Sequence, residues 1–260
     1  FQRDALTLCK DLFDIHCFHG HGGFTGYVRL IDDQLLPLRR DLAMTIPWYA
    51  HETALTATGF GEDVQAEALF KKLLFSWSRG SIGYTWYNLR NKGVNPNDAE
   101  HNYGLLTIDF QPKPVYVAYN ALIALYGAPG TCFVKQHAAP AGRWLLQFSN
   151  GREQLIAAWN EHPGSHEMLW RSDAASAELV DIMGNAQPVP RDGEVFRLNV
   201  SEDPVTLRLH GATFAEMLPP VMALPNELFV IPGDSATLSA AIHNPHPQAA
   251  TIIADVDLPE

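Results

Sequence analysis

Trp48-Tyr49-Ala50-His51-Glu52-Thr53-Ala54, entered through Thr45-Ile46-Pro47, is the stretch whose reading decides the fold. It is a short, aromatic-rich, mostly apolar run of strand length, and a carboxylate sits at its end. An acid in such a run is costly unless it is paired or put to use. Two readings stay open for Glu52. It is a solvated residue at a strand–loop junction, or it stands at the C-terminal end of a barrel strand, where side chains face an active-site mouth.

The segments around this run alternate strand and helix. Upstream, residues 3–12 read as the end of a helix. Leu12-Phe13-Asp14-Ile15-His16-Cys17-Phe18-His19 reads as a strand closed by Gly20, Gly22 and Gly23. Val28, Ile31, Leu35, Leu38 and Leu42 give helical spacing over 26–43, with a break or kink expected at Pro37. Downstream, residues 62–79 form an amphipathic helix stopped at Gly80. Ile82-Gly83-Tyr84-Thr85-Trp86-Tyr87 is a third strand, and residues 113–126 a last helix. Strands alternating with helices argue for βα units and a parallel sheet.

Past Gly127-Ala128-Pro129-Gly130 the pattern changes to short alternating runs. These are 143–148, 153–159, 177–181, 195–200 and 204–209, with turn signals at Ser149-Asn150-Gly151, Met183-Gly184-Asn185 and Arg191-Asp192-Gly193. Such spacing predicts an antiparallel β-sandwich over 129–220. A third region, 221–260, reads as the start of an Ig-like β-domain too short to be complete. The fold class is thus α/β plus all-β, with 1–128 as the α/β part.

The chain has 260 residues and a net charge of −11, from 18 Lys+Arg against 29 Asp+Glu. At roughly 100–200 residues per domain that length suggests two domains, and the negative field disfavours nucleic acid as a partner. No run of about 18 apolar residues points to a membrane span. Cys9, Cys17 and Cys132 fit no zinc spacing and are expected to be buried free thiols.

Two further clusters carry possible chemistry. Trp86, at the end of the third strand, is either a floor for a sugar ring or a core tryptophan. His16, His19 and His21 lie close in sequence, but no acidic or cysteine partner completes a metal set at a recognised spacing, so no metal site is expected. Hydrogen bonding to a substrate hydroxyl or to Glu52 suits them better, with a structural role for at least one.

As an ordered set these features resemble the end of clan A retaining glycoside hydrolases. The set runs from the histidine strand through the strand ending in His51-Glu52-Thr53 and the helix Glu62-Asp63-Val64-Gln65-Ala66-Glu67-Ala68 to the strand ending in Trp86. The run Asn102–Tyr116, with Lys113-Pro114, is similar to the clan's closing segment, in which a turn precedes Lys-Pro and the last barrel helix. The resemblance covers about residues 1–215. It implies the C-terminal portion, strands six to eight, of an incomplete (β/α)8 TIM barrel followed by β-modules. It implies Glu52 as nucleophile and His16, His19, Trp48, Trp86, Tyr87 and Asn88 as substrate-binding residues. Arg90, Glu100 and His101 would reach further subsites. No cofactor is implied. The partners are an oligo- or polysaccharide and the remainder of the barrel upstream, in an extracellular or periplasmic setting. One departure matters: the clan's acid/base Glu follows an Asn at the fourth strand, and Asn226-Glu227 has the wrong context for it. Three strands cannot close a barrel, so the chain alone is expected to be inactive and marginally folded. The competing readings are a non-catalytic carbohydrate-binding or adhesion module built on a degenerate barrel, and a purely structural multi-sandwich protein.

Overall fold

The computed structural model describes residues 2–219, 222–223 and 241–245. The order begins with α1 (Gln2–Cys9), β1 (His16–His21) and α2 (Phe24–Val28). It continues through α3 (Leu36–Asp41), β2 (Trp48–Ala54), α4 (Glu62–Ser78), β3 (Ser81–Trp86) and α5 (Pro114–Tyr126). The three strands form one parallel sheet in the order β1-β2-β3, with α4 packed on both α2 and α5. β1 alternates strictly between buried and exposed residues. His16, Phe18 and Gly20 are buried; Cys17, His19 and His21 project from the opposite face, as the two-residue strand period requires.

Local chemistry explains the boundaries. Glu62 and Asp63 open α4, where carboxylates complement the helix dipole, and Gly80, at φ +83°, closes the turn after it. The expected break at Pro37 takes another form. Arg29–Leu35 widens into a π-helix in which the Leu36 N–H reaches the Ile31 carbonyl, and Pro37 then enters the first turn of α3, where its missing N–H costs nothing. The first strand also starts later than its hydrophobicity suggests. Lys10–Leu12 form a 3-10 turn, and Leu12 and Phe13 are exposed. Gly20 does not end that strand. It lies within it because the Tyr27 ring packs on its backbone, 2.5 Å from where a Cβ would stand.

The remaining strands are β4 (Cys132–Gln136), β5 (Arg143–Ser149), β6 (Glu153–Asn160), β7 (His166–Ser172), β8 (Ser176–Asp181), β9 (Ala186–Pro188), β10 (Arg191–Asp192), β11 (Val195–Val200), β12 (Val205–His210) and β13 (Ala215–Leu218). They make two antiparallel sheets, six-stranded β4-β5-β6-β12-β8-β9 and four-stranded β10-β11-β7-β13. The larger sheet is buried on both faces. Leu145, Ile156, Ala158, Leu207 and Leu209 share a core with Trp170, Phe196 and Leu198 of the smaller sheet. Leu146, Phe148, Leu155, Ala157 and Trp159 join the core of the helices instead. This is why β6 reads as an unbroken apolar run rather than an alternating one.

The two halves therefore share one interior. Phe24 meets Trp144 and Trp159 edge-on at centroid distances of 5.3 and 5.4 Å, and the Tyr126 hydroxyl bonds the Thr206 hydroxyl at 2.9 Å. The chain passes from one half to the other near residue 128, but the hydrophobic core does not divide there.

The expected buried thiols are corrected: Cys17 and Cys132 are exposed, and Cys9 is half-buried. Cys17 falls on the outward phase of β1, and Cys132 begins an edge strand. Of the 221–260 region, only the short pairing of Met222–Ala223 with Ala241–Ile242 and the neighbouring residues 243–245 are described. The Ig-like expectation otherwise lies outside the described residues. No helix among the described residues is long and apolar enough to cross a membrane.

Candidate active site

The site lies at the C-terminal ends of β1, β2 and β3, on the face of the sheet opposite the helices. His19 on β1 pairs in register with Glu52 on β2, and a bulge between Phe18 and His19 leaves His51 as the extra residue. The Glu52 carboxylate oxygen Oε1 is 3.0 Å from His21 Nε2 and 3.7 Å from His19 Nδ1, and its side chain keeps 30% of its surface open. His19 stacks on His51 at 5.6 Å, and His51 in turn meets Tyr49 edge-on at 5.8 Å. The Tyr49 hydroxyl touches Thr85 on β3.

An aromatic wall closes the other side. His21 meets Tyr87 and Tyr103 edge-on at 5.8 and 5.6 Å, and those two rings meet each other at 5.5 Å. The Tyr87 hydroxyl donates to Glu100 Oε2 at 3.0 Å, and Lys92 Nζ donates to the same oxygen at 2.8 Å. The Lys92 hydrogen bond, then that of Tyr87, holds the Glu100 carboxyl below its usual range, so Glu100 stays charged.

The floor is built by lysines. Lys72, on α4, is fully buried. Its ammonium donates to the carbonyls of Gly20, Gly22 and Ala54 at 2.7, 3.0 and 3.0 Å, and sits 4.6 Å from the centre of the Tyr27 ring. It thereby ties the end of β1, which carries His19 and His21, to the end of β2, which carries Glu52. Burial pushes its pKa down to about 7. The three carbonyl oxygens oppose that shift, since they favour the charged form. Lys113 plays a similar part under the last loop, donating to Gln65 Oε1 at 2.8 Å and to the Asn102 carbonyl at 3.3 Å.

Not every residue singled out from the sequence arrives here. Glu52, His19 and Tyr87 do. His16 is buried on the helix side, where Arg39 Nη1 lies 3.2 Å from its Nδ1, and burial followed by that cation lowers its pKa. Trp48 packs on Phe18 at 5.6 Å in the core. Trp86 is 5% exposed, and its indole N–H donates to the Tyr103 carbonyl at 3.0 Å, so it offers no open ring face. Asn88 follows Tyr87; its carbonyl accepts from Leu105 N at 2.9 Å, and its buried Oδ1 has no partner. Arg90 lies over the Phe110 ring, and His101 Nδ1 accepts from Asn95 N, so both are spent within their own loop. His21 and Tyr103 belong to the site in their place. His21 was legible in the spacing, two residues after His19 on one strand face. Tyr103 arrives from a distant loop and had no such signal.

No family model matches the chain, and no curated protein matches it. Solved structures do. A family 39 glycoside hydrolase from the gut symbiont Bacteroides cellulosilyticus WH2 is 22% identical with a TM-score of 0.63, over 79% of this chain and 46% of that one. A GH30 endoxylanase from Clostridium papyrosolvens C71 is 14% identical with a TM-score of 0.54, over 78% and 50%. The fold is glycoside-hydrolase-like. A family 51 alpha-L-arabinofuranosidase from Bifidobacterium longum agrees, at 9% identity and a TM-score of 0.55, over 80% of this chain and 55% of that chain. The chain spans about half the length of these structures, and the β1-β2-β3 unit with its helices is consistent with part of their barrel. At such identities the likeness is one of fold.

Proposed function

We propose that the chain is the C-terminal part of a retaining glycoside hydrolase that cleaves O-glycosidic bonds in an oligo- or polysaccharide, with Glu52 as the nucleophile. The reading rests on one observation: at the end of the central strand, a carboxylate open to solvent is hydrogen-bonded by His21 at 3.0 Å. That hydrogen bond occupies Oε1 and leaves Oε2 as the oxygen free to attack.

In the retaining scheme a second carboxyl group stands about 5–5.5 Å from the first, protonates the leaving oxygen, then activates water. That partner would come from barrel strands outside these 260 residues, as the fourth strand supplies it in the clan the sequence resembles. Tyr87 and Tyr103 would line the sugar by apolar contact, with His19 offering a polar contact. The antiparallel sheets of 129–220 would be a β-sandwich module and 221–260 the start of an Ig-like one, in an extracellular or periplasmic protein. By itself the chain would be inactive, for want of the acid/base.

Trapping tests the assignment. Incubating the full-length protein with a 2-fluoro glycoside and digesting it should put the added mass on the peptide containing Glu52, and Glu52→Gln should abolish it. A label on another carboxylate would reassign the nucleophile. Saturable sugar binding without labelling or turnover would favour a non-catalytic binding module. Turnover by the 260-residue chain alone, lost in Glu52→Gln, would refute its predicted inactivity.

A further inference from the structure

We infer that His19, His21 and Glu52 form a binding site for one divalent first-row transition ion, with zinc as the best fit. His Nδ1, His Nε2 and a carboxylate oxygen from these three residues all lie within 4.8 Å of one another. Zinc bonds of about 2.0–2.1 Å to nitrogen and about 2.0–2.2 Å to oxygen set tetrahedral ligand atoms about 3.3–3.5 Å apart. The observed separations from Glu52 Oε1, 3.0 Å to His21 and 3.7 Å to His19, straddle that figure. The third separation, between the two imidazole nitrogens, is within 4.8 Å, so side-chain rotation would bring the set to zinc geometry.

The scaffold favours this arrangement. His19 and His21 are two residues apart on the exposed face of β1, so both rings project the same way. Glu52 is the register partner of His19 on β2. The Lys72 clamp on Gly20, Gly22 and Ala54 holds the two strand ends together beneath them. All three side chains are partly open, at 57%, 35% and 30%, which gives an ion a route in and leaves a fourth position for water. Two imidazoles with one carboxylate select the zinc, nickel, copper and iron class over calcium and magnesium, which take oxygen ligands. Spacing in the sequence concealed the set, because the third ligand is 31 residues beyond His21.

Binding has a consequence for Glu52. An ion coordinated at Oε1 withdraws charge from the carboxylate and weakens Oε2 as a nucleophile, so zinc should slow covalent labelling. That consequence rests on the proposed catalytic role; the binding itself does not.

Calorimetric titration of zinc chloride into the untagged chain tests the site. One zinc per chain is expected. Removing a neighbour of a metal ligand typically costs 10–100-fold in affinity, so loss of a ligand should cost about 100-fold or more. Glu52→Gln and His21→Ala should each show that loss, and His51→Ala, beside the set but outside it, should not. Zinc should also raise the melting temperature of the wild type but not of Glu52→Gln, with metal-free melts showing that the variant is folded. Cobalt in place of zinc should give the visible absorption of a four-coordinate site, absent in both ligand variants. Absence of saturable one-to-one binding overturns the inference, and so does binding that survives both Glu52→Gln and His21→Ala. The readout is independent of hydrolysis, so failure of the metal site and failure of the glycosidase reading can be told apart.

Discussion

Replacing Lys72 by Met should change the pH dependence of stability in a direction that the structure dictates. The ammonium is fully buried against three backbone carbonyls, with a pKa pushed from 10.5 down to about 7. Between those two values the unfolded chain keeps the proton that the folded chain has released. Stability therefore rises with pH across that window, and the penalty is fully present only below about 7. One pKa unit corresponds to about 1.4 kcal/mol, and the first unit above 7 is only partly effective because half the folded molecules are still protonated there. The gain from pH 7 to pH 9 is thus about 2 kcal/mol, an upper figure because the carbonyls hold the charged form. Met keeps the apolar stem and removes the titration. Urea unfolding of both proteins across this range isolates the effect, since every other group titrates in both. The difference in stability, wild type minus variant, should climb by up to about 2 kcal/mol. A difference that is flat, or that falls with pH, refutes the picture of a cation held in the protein interior at the cost of its own solvation.

Four other substitutions follow from the packing. Tyr87→Ala should weaken sugar binding by the full-length protein while leaving its melting temperature nearly unchanged, and Trp86→Phe should do the reverse, which isothermal titration and thermal melts would separate. Tyr126→Phe removes the buried bond to Thr206 and should cost about 1 kcal/mol in urea unfolding. Trp159→Ala empties the point where Phe24, Phe70 and Trp144 converge and should cost about 3–5 kcal/mol, large enough to unfold both halves in one transition.

That last expectation bears on what could be read from the sequence. Strand and helix order in the first half was legible because each element carries its own punctuation, such as Gly80 at positive φ after α4 or Pro114 at the start of α5. Five of the later strands were legible from short apolar runs between turns. β4, β7, β9, β10 and β13 were not: β9 and β10 are only three and two residues long, and Cys132-Phe133-Val134-Lys135-Gln136 and His166-Glu167-Met168 carry too little contrast between faces. Side-chain direction was harder than element type. Trp48 and Trp86 look like site residues because they stand at strand positions near Glu52, yet each is buried among the helix-side core. A strand has two faces, and which one meets the helices depends on register with its neighbours, which one strand's own residues do not encode. The alternation along β1 does encode it once any one residue is placed. Phe18 is in the core with Tyr27 and Trp48, so His19 and His21 must face the other way, and Glu52, paired with His19, stands with them. The bulge at His51 is what parts Glu52 from Trp48 and Ala50, which an unbroken alternation would set on one face. Any substitution that moved β2 by one residue would exchange the two sets, taking Glu52 into the core and ending both its proposed chemistry and its capacity to hold an ion.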